Sequence, residues 1–116
     1  MSKHYQVVVI GGGNAGLSAA ALLLLKNSKL SVAIIEPSDK HYYQPAWTLV
    51  GGGAFNITDT ERNEDDFIPK GADRIKDRVV SFQPESNEVT IGSGERIGYE
   101  QLLVCPGIQL DWAAVK

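Results

Sequence analysis

Cysteine is almost absent from this 116-residue chain, and Cys105 stands alone. A disulfide within the chain and a metal site built from four cysteines are therefore both excluded. Basic clusters are missing too: 11 Lys and Arg face 14 Asp and Glu, for a net charge of −3. Neutralising nucleic-acid phosphates needs a concentrated basic face, so that partner class is set aside. No apolar run approaches the roughly 20 residues needed to cross a hydrocarbon core; the longest, Ala15 to Leu25, contains Ser18 and stops at Lys26. Met1-Ser2-Lys3-His4 leads directly into an apolar strand, without room for a secretory or transit peptide, and a cytoplasmic location is expected. Internal repeats and low-complexity tracts are absent. What remains, with 43% hydrophobic residues, is one soluble globular unit.

Tyr5 to Ile10 is a near-continuous β-branched run. Glycines follow, and then Asn14 to Lys26, rich in Ala and Leu and free of proline. This order predicts strand, tight turn and helix. Asn27-Ser28 ends the helix, and Leu30 to Ile35 reads as a strand covered on both faces. The three elements make a βαβ unit with a parallel strand pair. His41 to Phe67 reads as a long irregular stretch, and long loops in compact domains are commonly functional. Short strands are expected over Ile75 to Phe82, Glu88 to Ile91 and Arg96 to Tyr99, separated by turn-rich Gln83 to Asn87 and Gly92 to Glu95, as an antiparallel meander. Gln101 to Val104 reads as a further buried strand stopped by Pro106-Gly107.

Gly11-Gly12-Gly13-Asn14-Ala15-Gly16 fits G-x-G-x-x-G, and its weight comes from its position between strand and helix. Gly11 suits the tight turn, Gly13 lets the backbone approach a pyrophosphate, and Gly16 allows helix and strand to pack closely. Phosphates would meet free N–H groups at Asn14 and Ala15, where the helix dipole favours negative charge. Glu36 follows Gly16 by 20 residues at the end of the second strand, placed to accept hydrogen bonds from an adenosine ribose. It would repel a 2′-phosphate, which argues against NADP. FAD and NAD share the fingerprint, which does not choose between them.

Three further segments resemble the sulfide:quinone oxidoreductase family: His41-Tyr42-Tyr43-Gln44-Pro45-Ala46-Trp47-Thr48-Leu49-Val50-Gly51-Gly52-Gly53, Ile68-Pro69-Lys70-Gly71, and Gly107-Ile108-Gln109-Leu110-Asp111-Trp112. The resemblance covers nearly the whole chain and is more specific than the glycine pattern. It implies an α/β fold with a Rossmann-type FAD-binding βαβ unit and parallel sheet plus an antiparallel β-meander. Residues 1–116 would be the N-terminal segment of that domain. Its second half, an NAD-like domain and a C-terminal membrane-docking region would lie beyond. The implied cofactor is FAD, held by Gly11, Gly13, Asn14, Ala15, Gly16 and Glu36, with Gln44 contacting it from the aromatic loop and Val79 offering its backbone to the adenine. Cys105-Pro106-Gly107 takes the place of Ala-Thr-Gly in many relatives; Gly107 is carried over as a contact despite that departure. The implied parent oxidises sulfide to zero-valent sulfur at a cysteine pair downstream, reduces quinone, and lies peripheral to the inner membrane. This segment alone would carry no catalytic residue, would lack the activity, and would be prone to self-association. A type II NADH:quinone oxidoreductase and a non-enzymatic nucleotide-binding module are the alternatives.

Other residues draw plainer readings. Tyr42, Tyr43 and Trp47 suit packing, because aromatics bury large apolar area. An unperturbed histidine titrates near neutrality, yet a loop histidine such as His41 serves as a catalytic base in only a minority of cases. His4 reads as surface. Glu61-Arg62-Asn63-Glu64-Asp65-Asp66 has no metal-ligand spacing and reads as a solvated loop. Cys105, at the end of an apolar strand, reads as a small buried hydrophobe.

Overall fold

A computed structural model describes residues 3–109 and 111–115; Met1, Ser2 and Leu110, quoted above, lie outside the described residues. Strand β1 (Lys3–Ile10) leads through the glycine turn into helix α1 (Asn14–Lys26) and back to β2 (Val32–Ile35). Pairs Val7↔Val32 through Ile10↔Ile35 run parallel, as the βαβ reading requires. The helix ends at Asn27, whose N–H returns to Leu23 O, and Lys26 places a cation at the negative end of the dipole.

Alternation along β1 and β2 builds two cores. Val7, Val9, Val32 and Ile34 face α1 and meet Leu17, Ala20 and Leu24. Val8, Ile10, Ala33 and Ile35 point the other way, onto Val89, Ile91, Ile97 and Tyr99 of the meander. Both faces are covered over Val7–Ile10 and β2, which is why these stretches are continuously apolar rather than alternating with polar residues.

The main sheet runs β5 (Ala72–Ile75), β2, β1, β8 (Arg96–Val104), β7 (Glu88–Ile91), β6 (Val79–Gln83). β6, β7 and the first part of β8 form the expected antiparallel meander. Three boundaries differ from the sequence reading. Ile75 to Phe82 is not one strand: Ala72–Ile75 is β5, parallel to β2 at the opposite edge, and β6 starts only at Val79. Between them Asp77 accepts the N–H groups of Arg78, Gly92 and Ser93, turning the chain away from the first sheet edge. Arg96 to Val104 is one strand rather than two, parallel to β1 over its length and paired to β7 only through Gly98. The stretch read as irregular contains a small antiparallel pair, β3 (Lys40–Tyr42) with β4 (Glu61–Asn63), and a short helix α2 (Trp47–Gly51).

Beyond Gly98, β8 has β1 on one side and, among the described residues, no strand on the other. Val104 is 53% exposed as a result. Cys105, expected to be buried, is only partly so, because the strand edge beside it is open.

Candidate functional site

The glycine turn is clamped between two strands. Gly11 N donates to Ile35 O at 2.9 Å, and Cys105 N donates to Ile10 O at 2.7 Å. Gly11 has φ +106, and a Cβ there would lie 1.9 Å from Cys105 O. Only glycine combines that conformation with that approach. A Cβ at Gly16 would lie 1.8 Å from Gly11 O and 3.2 Å from Val9 Cγ1, so its absence is what lets α1 pack onto the end of β1. Gly13 differs from both: it is the N-cap of α1, has an ordinary φ of −77, and has nothing within 4 Å of where its Cβ would stand.

That open space fronts the start of α1. Gly13, Asn14 and Ala15 are exposed, and no side chain caps the helix. The first N–H groups of a helix have no intrahelical acceptor, so this end presents donors and the positive end of a 13-residue dipole to solvent. An exposed groove of about 480 Å³ runs from there, between α1 (Asn14, Leu17, Ser18, Ala21) and the loop segment carrying His41, Tyr43, Arg62 and Phe67.

Glu36 closes the other side of the turn. Its Oε1 accepts Gly12 N–H at 2.9 Å and its Oε2 accepts Ser38 N–H at 2.9 Å. A carboxylate offers about four lone-pair directions, so roughly two remain for a ligand's hydroxyls. Behind Gly12 lies a group that the sequence reading placed in a solvated loop. Glu64 is only 1% exposed, held through its N–H to Asp39 O at 2.8 Å. Its Oε1 is buried with no hydrogen-bond partner among the described residues, and would stand 2.1 Å from a Cβ on Gly12. Its Oε2 lies 3.5 Å from His41 Nδ1, which in turn lies 3.2 Å from Gly12 O. Burial, followed by repulsion from the Glu36 carboxylate, pushes the Glu64 carboxyl up from 4.5 to about 7, with Asp65 adding to the shift and Arg74 opposing it.

The structure thus gathers Gly11 to Gly16 and Glu36 at the carboxyl ends of β1 and β2, with the Cys105 backbone against the turn. Gly107 follows two residues later, at φ +69, with nothing among the described residues within 4 Å of its Cβ position. Val79 opens β6 and packs on the core layer that holds Ile35. Gln44 is exposed at the start of a 3-10 turn, Gln44–Ala46, beside Tyr43 of the groove. Tyr42 packs edge-on to Trp47 at 6.2 Å and donates to Glu61, and Trp47 donates to Thr60, as suits a packing role. Tyr43 is half exposed instead. His41 is buried against the Phe67 ring, 5.3 Å between centroids. Glu64 carries no sequence signal: its burial follows from the β3–β4 pairing of residues two decades apart in the chain.

Three relatives are similar to this chain in sequence or fold. The chain is 51% identical over 112 residues to the mitochondrial sulfide:quinone oxidoreductase of Dictyostelium discoideum, spanning 96% of this chain and 25% of that protein. It is 42% identical over 114 residues to the mitochondrial sulfide:quinone oxidoreductase of Mus musculus, spanning 98% of this chain and 25% of that protein. The crystal structure of the sulfide:quinone oxidoreductase of the hyperthermophilic bacterium Aquifex aeolicus superposes with a TM-score of 0.76 at 28% identity, over 96% of this chain and 26% of that one. The chain spans about a quarter of the length of the curated relatives it matches. The family model described as pyridine nucleotide-disulphide oxidoreductase matches residues 5–112, and the chain belongs to that family.

Proposed function

We propose that this segment holds the adenosine diphosphate end of FAD in a sulfide:quinone oxidoreductase. The observation that carries the reading is the uncapped start of α1 facing open space at Gly13, with the Glu36 carboxylate across the turn. Diphosphate oxygens fit the free N–H groups of residues 14–16, where no side chain competes. Ribose hydroxyls fit the remaining acceptor sites of Glu36. Gly11 and Gly16 shape the turn, while Gln44, Val79 and Gly107 are the further contacts the reading assigns. FAD, when bound, supplies the two-electron chemistry. This chain's own groups bind and orient its nucleotide end. The names of the relatives support sulfide and quinone as the substrates of the whole protein, and its place peripheral to a membrane is part of the same reading. No helix among the described residues is long and apolar enough to cross a membrane.

Two measurements test it. The chain should bind ADP-ribose in a calorimetric titration, and Glu36→Ala should weaken that binding roughly ten- to a hundredfold, as loss of charge-assisted hydrogen bonds worth about 1.5–3 kcal/mol requires. A Glu36→Ala variant that folds by circular dichroism and binds like the parent removes Glu36 from the site. A protein of the relatives' length carrying this segment should reduce quinone with sulfide as donor. Reduction with NADH and not with sulfide would favour the NADH:quinone oxidoreductase alternative.

The open edge of β8 adds a second expectation. Unpaired strand edges and exposed apolar side chains template association, and here Val104 and Ile108, 53% and 80% exposed, adjoin such an edge. The 116-residue chain should associate with rising concentration in light scattering after size exclusion, and Val104→Lys should reduce it. A parent that stays monomeric at high concentration removes that expectation.

A further inference from the structure

The buried side of the glycine turn holds more ionisable chemistry than the fold requires. We propose that Glu64 is a positioning residue of the dinucleotide site, acting through Gly12 and Glu36, and that its protonation state tunes the grip on the bound diphosphate and ribose. The proposal rests on the nucleotide-binding reading above.

Geometry carries it. One point in space, the position a Cβ on Gly12 would take, is 2.1 Å from Glu64 Oε1 and 2.9 Å from both Glu36 Cβ and Cγ. The two carboxyl-bearing side chains therefore meet at Gly12, whose N–H is held by Glu36 and whose carbonyl faces His41 Nδ1 at 3.2 Å. Both polar groups of one peptide neighbour are thus read by titratable side chains. Glu64 itself is faced by Glu36 from the end of β2, His41 from β3, Arg74 from β5 and Asp65 beside it in the chain. Arg74 is partly committed elsewhere: its Nη1 pairs with Asp65 at 2.8 Å and its Nη2 meets the carbonyls of Glu36, at 3.3 Å, and Ser38, while its buried Nε has no hydrogen-bond partner among the described residues. Arg74 therefore offsets Glu64 only in part, and the His41 ring is the remaining group able to carry a compensating proton.

With Glu64 neutral, its buried oxygen adds no charge behind the turn. With Glu64 ionised, a second negative charge stands behind Gly12, in low dielectric, close to Glu36 and to the diphosphate that the helix start would hold. Repulsion then disfavours the anionic ligand. Reciprocity requires the converse: a bound diphosphate holds the proton on Glu64 more tightly.

The test is a calorimetric titration of the 116-residue chain with ADP-ribose from pH 5.5 to 8.5. Its diphosphate is esterified at both ends, so the probe keeps its charge across that range. Affinity of the parent should fall about three- to tenfold across neutrality, the span of a half to one unit of linked pKa change. Glu64→Gln should bind as tightly as the protonated parent and give a flat profile, a result that loss of packing alone would not produce. Should that variant fail to fold, carboxyl ¹³C NMR of the parent gives the same information: saturating ADP-ribose should raise the midpoint of the Glu64 titration. A pH fall that persists in Glu64→Gln assigns the linkage to another group, His41 first, and overturns the proposal. A flat parent profile, or a Glu64 midpoint that the ligand leaves in place, overturns it while the nucleotide site stands. No binding at any pH removes both.

Discussion

Gly16→Ala will lower the melting temperature of the chain by about 12 °C or more, whereas Gly13→Val will leave it folded and strip it of ADP-ribose binding. The two glycines sit three residues apart in one motif, and they are expected to fail in opposite ways. At Gly16 the added carbon would lie 1.8 Å from a backbone oxygen, Gly11 O, which cannot rotate away as a side chain could. Relief requires lifting α1 off β1, and overpacking of that kind costs about 3 kcal/mol or more, a large share of the roughly 5–15 kcal/mol that holds a domain together. At Gly13 the backbone is already in a region open to any residue, and nothing lies within 4 Å, so valine costs only about 1 kcal/mol as a poorer N-cap. Its two methyl groups would instead occupy the space through which a diphosphate reaches the helix N–H groups, and affinity should fall at least about a hundredfold. Thermal melting and calorimetry separate the two effects. Parent-like binding by Gly13→Val would sink the site assignment; parent-like melting of Gly16→Ala would sink the packing account.

That division of labour explains why the first third of the chain was legible from its residues. Strand, turn, helix and strand each carry a local signal: β-branched runs at Val7 to Ile10 and Val32 to Ile35, a proline-free Ala/Leu helix, and glycines where backbone must meet backbone. The helix bounds Asn14 and Lys26 were readable because a glycine N-cap and a polar Asn27 flank it. Further along, the signals become non-local. Ala72-Asp73-Arg74-Ile75 reads as polar because it is an edge strand, and its identity comes only from pairing with β2. Glu100 breaks the apolar run of β8 in the sequence, yet it is an exposed residue of one continuous strand. The β3–β4 pair joins three-residue strands across an 18-residue gap, too short for periodicity to show. Glu64 belongs to the same class: among charged neighbours its letter reads as solvated, and only the tertiary pairing puts it beneath the glycine turn.

Burial of that carboxyl has a cost that pH should expose. Glu64→Gln is expected to match the parent near pH 4, below the unfolded carboxyl value of 4.5, and to be more stable than the parent above pH 7. The folded protein raises the Glu64 carboxyl from 4.5 to about 7, so the folded state favours the protonated form. A group shifted in this direction leaves stability intact below its unfolded value and removes it as pH rises through the folded value. Between those two values the unfolded chain ionises Glu64 freely while the folded chain resists, at about 1.4 kcal/mol per unit, for a ceiling of about 3 kcal/mol. The neighbouring His41 ring lowers that ceiling wherever it carries a proton, and Arg74 lowers it further. Glutamine keeps the shape, stays neutral throughout, and brings an N–H₂ to a buried position whose oxygen has no partner among the described residues. Urea unfolding at pH 4, 5.5, 7 and 8 reads the difference as a midpoint gap that is near zero at the acid end and widens through neutrality. A gap that stays constant with pH, or a variant less stable than the parent at pH 8, would show that Glu64 is ionised in the folded chain and compensated more fully than its neighbours imply.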